Sequence, residues 1–183
     1  MNEQLQTALA NALKALSLDA ADPELEHTPE RVAALWSHWL VPPERPAMRP
    51  IPTTDNGVVV VRDLAFHSLC AHHLVPFFGH VHIAYQPAGH ILGFGSFGRL
   101  LDWCARRPQL QERLVHMLAT ELEQCLQPAA LVVVAQARQM CVELTDCGHS
   151  PSTIAIAGRG AWASDGGWSA ANMVLGMAQH VHP

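Results

Sequence analysis

The sequence predicts an α+β domain, an antiparallel sheet with two helices on one face, preceded by an N-terminal helical segment. Three observations predict it. The elements run helices, two strands, two helices, two strands, an order that suits an α+β fold. Gly79 to Gln86 alternates strictly, with His80, His82, Ala84 and Gln86 facing one way and Val81, Ile83 and Tyr85 the other. Leu110, Leu114, Met117, Leu118, Leu122 and Cys125 recur at helical spacing before Pro128.

Taken in order, Leu5, Leu9, Ala12, Leu13 and Leu16 form a helical stripe over residues 2–17. Thr28-Pro29-Glu30 reads as an N-cap, a proline at the first helical position and an acidic first turn, predicting a second helix to about Leu40. Five prolines between Val41 and Pro52 make an extended connector, so residues 1–52 form the helical segment and 53–183 the main domain. Val58 to Val61 is a β-branched run, and Phe66 to Leu69 leads into Cys70-Ala71-His72-His73. Ser96 is placed to cap a helix that carries Phe97, Leu100, Leu101 and Cys104 and stops before Pro108. A longer helix spans about Gln109 to Leu126. Leu131 to Ala137 reads as a central strand leading to Cys141, and Thr153 to Ala157 as its hairpin partner beyond a turn at Cys147-Gly148-His149-Ser150-Pro151. Asp165-Gly166-Gly167 is a loop, and Trp168 to His180 a closing helix.

Composition excludes several functions. The formal net charge is −5 with 11 Lys and Arg in 183 residues, and no basic stripe marks a nucleic-acid partner. No apolar run is long enough to span a bilayer, and Met1-Asn2-Glu3-Gln4 lacks the basic start and apolar centre of a signal peptide. Five cysteines without paired spacing point to a reduced, cytoplasmic protein.

Twelve histidines are present, five of them between His67 and His82. Cys70 and His73, three residues apart, can grip one metal ion from a single turn, with Cys141 brought in from a distant strand as third ligand. Three protein ligands leave a tetrahedral zinc with an open position, the mark of a catalytic site. The bland alternative is a small buried Cys beside a surface His. Cys147 competes as a ligand from its turn, whereas Cys104 and Cys125 sit on apolar helix faces and belong to the core. His80 and His82 read equally well as barrel-lining residues or as polar positions on a half-exposed sheet.

His27-Thr28-Pro29-Glu30-Arg31-Val32-Ala33, Ser68 to Gly79 (SLCAHHLVPFFG) and Gln109-Leu110-Gln111-Glu112-Arg113-Leu114 resemble GTP cyclohydrolase I in order and spacing. The resemblance covers roughly residues 25–160. It implies the tunnelling fold, a ββααββ unit, and a homo-oligomer, typically a decamer, with sites between subunits. It further implies Zn2+ on Cys70, His73 and Cys141, a purine-type substrate opened at C8, and release of that carbon as formate. His72 would be the proton donor to the imidazole ring. Gln111 and Glu112 would anchor the guanine edge, since a carboxylate accepts two hydrogen bonds from the pyrimidine N–H groups. Arg99 matches a phosphate contact.

The chain departs from that family's pattern at four places. Ala71 replaces a Glu, and Gly95-Ser96 replaces Ser-Lys. Thr145-Asp146 replaces Arg-Gly after the last Cys. Gln139 replaces a catalytic His and cannot transfer a proton at neutral pH. The lost Lys and Arg are triphosphate contacts, each worth about 1.5–3 kcal/mol. The expectation is a cyclohydrolase for a nucleoside, base or related heterocycle. The alternatives are a genuine GTP cyclohydrolase I making dihydroneopterin triphosphate and a non-catalytic purine- or pterin-binding paralogue.

Overall fold

The computed structural model describes residues 3–18, 22–145, 149 and 151–178. The chain forms two compact units, Met1–Pro42 and Pro43–Pro183. The first holds helix α1 (Glu3–Ala15) and helix α2 (Thr28–Leu40), packed on each other. The backbone carbonyl of His27 accepts the Arg31 N–H at 3.1 Å, so His27 rather than Thr28 is the half-in residue, and no side chain caps this helix. Pro29 still lies in the first turn, where its missing N–H costs nothing.

The second unit runs β1 (Ile51–Pro52), β2 (Val59–Cys70), β3 (Pro76–Gln86), β4 (His90–Ile91), α3 (Phe94–Ala105), β5 (Pro108–Gln109), α4 (Gln111–Leu126), β6 (Ala130–Gln139), α5 (Met140–Glu143), β7 (Ser152–Gly160) and α6 (Trp168–Ala178). The long strands and α3 and α4 give the ββααββ order of the tunnelling fold. The main sheet is ordered β5-β2-β3-β6-β7, with β2, β3, β6 and β7 antiparallel to their neighbours and β5 parallel to the end of β2. β1 and β4 pair separately.

Alternation decides which face each side chain takes. Phe77, Val81, Ile83 and Tyr85 of β3 and Leu131, Val133, Ala135 and Ala137 of β6 join Phe97, Leu100, Leu101, Leu114, Leu118 and Leu122 of α3 and α4 in one core. Cys104 lies in it, and burial pushes its thiol up to about 12. On the opposite face Ala84, Val132 and Val134 receive Ala170, Ala171 and Val174 of α6. The closing helix therefore covers the second face, an arrangement that its weakly patterned sequence does not reveal. Asp165 caps it, its Oδ1 and Oδ2 accepting the N–H groups of Gly167 and Ser169.

Several local readings shift. The two expected strand pieces before Cys70 are one strand, β2, broken in register between Val61 and Leu64 by a bulge at which Asp63 has φ 57°. α3 begins two residues before Ser96, with Gly93 at its N-cap, so Ser96 is a buried helical residue and not a cap. Cys141 lies on the single helical turn α5 and not on the strand, because β6 ends at Gln139. The expected closing-helix residues 179 and 180, with Asp146 and Cys147, fall outside the described residues.

Candidate metal centre

Cys70 is the last residue of β2, and the chain reverses there into β3. The Leu74 N–H donates to the Cys70 carbonyl at 2.9 Å and the Cys70 N–H to the Val75 carbonyl at 2.9 Å, closing a tight loop. Leu74 takes φ 54° to make the turn. β5 braces the loop from outside, with the Ala71 N–H donating to the Gln109 carbonyl at 3.2 Å. Within it, Cys70 Sγ lies 3.9 Å from His73 Nδ1.

Cys141 comes from α5. Arg138 at the end of β6 forks onto Glu143, Nε to Oε1 at 2.9 Å and Nη2 to Oε2 at 2.6 Å. That bidentate pair, and the Thr145 hydroxyl on the Cys141 carbonyl, fix the turn on the strand from which it departs. The ligand atoms of Cys70, His73 and Cys141 all lie within 4.8 Å of one another, with Cys70 buried, Cys141 half-buried and His73 exposed. Burial first, then the adjacent Cys70 sulfur, holds the Cys141 thiol above its ordinary value. Tetrahedral zinc with sulfur at about 2.3 Å and nitrogen at about 2.0–2.1 Å places such ligands about 3.6–3.8 Å apart. The three residues fit that requirement with small side-chain adjustments.

Cys70 and Cys141 line a cavity of about 210 Å3 with His72, Gln109, Leu110, Gln111, Glu112, Gln139, Val142 and Thr153. Among the described residues, neither Lys nor Arg lines it. Glu112 is exposed in the first turn of α4, and His72 is exposed beside His73, the two rings 6.3 Å apart and nearly perpendicular.

Gln111 is buried and spends its amide inside the protein. Its Nε2 donates to the carbonyls of Ala135 at 2.7 Å and Thr153 at 3.2 Å. Its Oε1 accepts from Gln139 Nε2 at 2.8 Å and the Thr153 hydroxyl at 2.6 Å. Gln109 is equally buried, donating from Nε2 to the Cys104 carbonyl at 2.7 Å and to Ser68 Oγ at 3.2 Å. Sequence reasoning missed Gln109 and Thr153, because their partners lie 41 and 42 residues away in the chain. The one available signal was two glutamines flanking a leucine at the start of an amphipathic helix.

Arg99 stands apart from this cavity. It donates to Ser96 Oγ at 3.1 Å and lines a separate cleft with Pro43, Glu44, Pro46, Asp102 and Arg106. The two strand histidines also separate. His80 is exposed and lines an open groove with Phe78, Gln136, Arg138 and Ser152. His82 is buried, and its Nδ1 accepts the Asp63 N–H at 3.2 Å. Burial holds His82 below its ordinary value.

Comparison with known proteins then bears on the whole chain. Residues 5–175 match the family model described as GTP cyclohydrolase I. A GTP cyclohydrolase 1 of Nitrosospira multiformis is 39% identical over 137 residues, 72% of each chain. That of Halalkalibacterium halodurans is 35% identical over 170 residues, 90% of each chain. That of Streptococcus sanguinis is 32% identical over 168 residues, 89% of this chain and 91% of its own.

Proposed function

The chain belongs to the GTP cyclohydrolase I family, and from that premise we propose that it is a zinc-dependent cyclohydrolase opening the imidazole ring of a guanine-type purine at C8, on a substrate without the triphosphate. One observation carries the choice of substrate. Among the described residues, the part of the cavity that this chain contributes beside Cys70 and Cys141 contains Glu112 and no Lys or Arg. A triphosphate carries several negative charges, and burying them without cationic partners is costly. Arg99 and Arg106 share their cleft with Glu44 and Asp102, whose carboxylates offset the two guanidinium charges.

Cys70, His73 and Cys141 would hold the zinc, which when bound supplies Lewis acidity and brings the ionisation of water near neutral pH. The protein's own groups divide the remaining work. Glu112 accepts the pyrimidine N–H groups and orients the ring. His72 delivers the proton needed by the departing imidazole nitrogen as water adds at C8 and the ring C–N bond breaks. Hydrolysis of the resulting formamide releases the carbon as formate. Exposure of His73 and His72 on one chain supports completion of the site by a neighbouring subunit, in a homo-oligomer for which our reading is a decamer. No described helix is long and apolar enough to cross a membrane, which is compatible with a cytoplasmic enzyme.

The test is formate release by the zinc-loaded protein from GTP, guanosine and guanine side by side. Turnover of guanosine or guanine without GTP is expected. Turnover of GTP with a micromolar Michaelis constant would make the protein an ordinary GTP cyclohydrolase I, and zinc binding without turnover of any purine would make it a binding protein.

A further inference from the structure

We propose that Gln109 is a positioning residue that holds the metal loop and the guanine anchor at a fixed separation, so that zinc and purine bind cooperatively and lose that cooperation when its amide is removed. The inference rests on the purine reading above and adds to it the residue that couples the two halves of the site.

The two halves come from different elements. Cys70 and His73 belong to the end of β2 and the loop after it, and Glu112 to the first turn of α4. β5 joins them: Gln109 is the register partner of Cys70, and Glu112 follows it by three residues. Two residues are too few to hold a strand in place by main-chain pairing alone. The Gln109 side chain supplies the missing hold. Its Nε2 donates to the Cys104 carbonyl at 2.7 Å and to Ser68 Oγ at 3.2 Å, and Ser68 Oγ donates to the Ala105 carbonyl at 2.7 Å. Cys104 and Ala105 end α3, where helical carbonyls lack intrahelical partners. Ser68 stands two residues before Cys70 on β2. One buried amide thus fastens the start of α4, the end of α3 and the strand that carries Cys70.

A residue chosen for stability alone would look different. Gln109 is 2% exposed, and its Oε1 is buried with no hydrogen-bond partner among the described residues. The amide cannot turn over to relieve this, since its nitrogen faces a carbonyl that only accepts. An unsatisfied buried acceptor is destabilising, and such local violations mark places where position matters more than stability. Gln111 ties α4 on its other side, reaching the carbonyls of Ala135 on β6 and Thr153 on β7. Glu112 therefore stands at a junction tied by Gln109 toward Cys70 and by Gln111 toward the strand that leads to Cys141. Metal binding orders the loop, and the Ala71 N–H passes that order to the Gln109 carbonyl at 3.2 Å. A purine held by Glu112 then meets the metal at a distance already set.

The experiment is equilibrium dialysis of guanosine and of guanine against zinc-loaded and zinc-free protein, which reads coupling without turnover. In the wild-type protein zinc should tighten purine binding by about tenfold or more, and by linkage the purine should tighten zinc equally. Gln109→Met keeps the side chain's length but donates nothing, and should bring the factor to about two or less at unchanged zinc content. Ser68→Ala, which removes the hydroxyl between Gln109 and α3, should lower the factor. Ile83→Val removes one buried carbon from the β3 core, and should lower stability while keeping the factor. Wild-type coupling in Gln109→Met overturns the inference and leaves the purine reading standing. So does a purine that binds zinc-free wild-type protein as tightly as zinc-loaded, and so does an equal loss of coupling in Ile83→Val. If Gln109→Met does not fold, wild-type coupling in Ser68→Ala overturns the inference in its place. Failure of both purines to bind the zinc-loaded wild-type protein removes the purine reading and this inference together.

Discussion

Replacing Gly79 by alanine should loosen the metal centre without touching a ligand. Gly79 lies in β3 between Phe66 of β2 and Ala137 of β6. A Cβ at this position would sit 2.0 Å from the Gln136 carbonyl oxygen and 2.8 Å from Ala137 Cα. Both are main-chain atoms of a strand paired on its two sides, so neither can swing away. Non-bonded heavy atoms settle at roughly 3.5–4.0 Å, and even a compressed contact near 3 Å requires β6 to retreat by about 1 Å. Ala137 is four residues before Cys141, while the other two ligands precede the start of β3, the end that lies beside the end of β6. Ligand distances tolerate about 0.2 Å, so a shift of that size is felt at the metal. The expected cost is about 1–3 kcal/mol of stability, as for overpacked cores, with zinc affinity down on the order of tenfold or more. Urea denaturation of the apo forms and competition against a chromophoric chelator measure the two effects. Gly98→Ala is the control: nothing lies within 4 Å of a Cβ there, and alanine inside α3 should add up to about 1 kcal/mol at unchanged zinc affinity. A Gly79→Ala protein with the wild-type midpoint and wild-type zinc affinity would refute the reasoning.

Glu112→Gln should weaken guanine binding by about 10- to 100-fold, the worth of a charge-assisted hydrogen bond, and leave zinc stoichiometry intact, as dialysis and metal analysis can check. Zinc affinity should fall as pH falls: the Cys141 thiol, raised chiefly by burial, is protonated in the apo protein at neutral pH and must lose that proton to ligate. That one group alone contributes up to about tenfold per pH unit, readable by chelator competition across pH. Burial depresses His82 below its ordinary 6.5, so the unfolded chain takes up the proton first. The stability linked to this residue is therefore present above about pH 6.5 and lost as pH falls below it. His82→Gln removes the titration, and its unfolding free energy should decline less steeply than wild type in acid.

Much of the architecture was legible because it rests on period and punctuation. The alternation of β3 assigned its two faces as found, and Pro128 marks the end of α4, which closes at Leu126 with Gln127 at φ 46°. Cys70 and His73 were legible as a pair because one turn brings them together. What escaped depends on contacts distant in sequence. Gln111 is buried by its carbonyl partners on β6 and β7, a fate no helical pattern announces. His80 and His82 have the same periodicity, yet only His82 lies beside the Asp63 bulge and becomes buried. The placement of Cys141 on a helical turn follows from the Arg138–Glu143 pair, which a strand pattern through residue 137 does not foretell.

The pairing of β3 with β6 would also make the candidate metal centre a proofreader of the sheet. β3 begins three residues after His73, and β6 ends two residues before Cys141, with Phe77 opposite Gln139. A slip of one residue would carry Cys141 about 3.3 Å along the strand and turn every β6 side chain to the wrong face. Only the native alignment brings the three candidate ligands within reach of one ion, so metal binding would reward a single zippering of two strands that the helical hairpin between them keeps far apart in the chain.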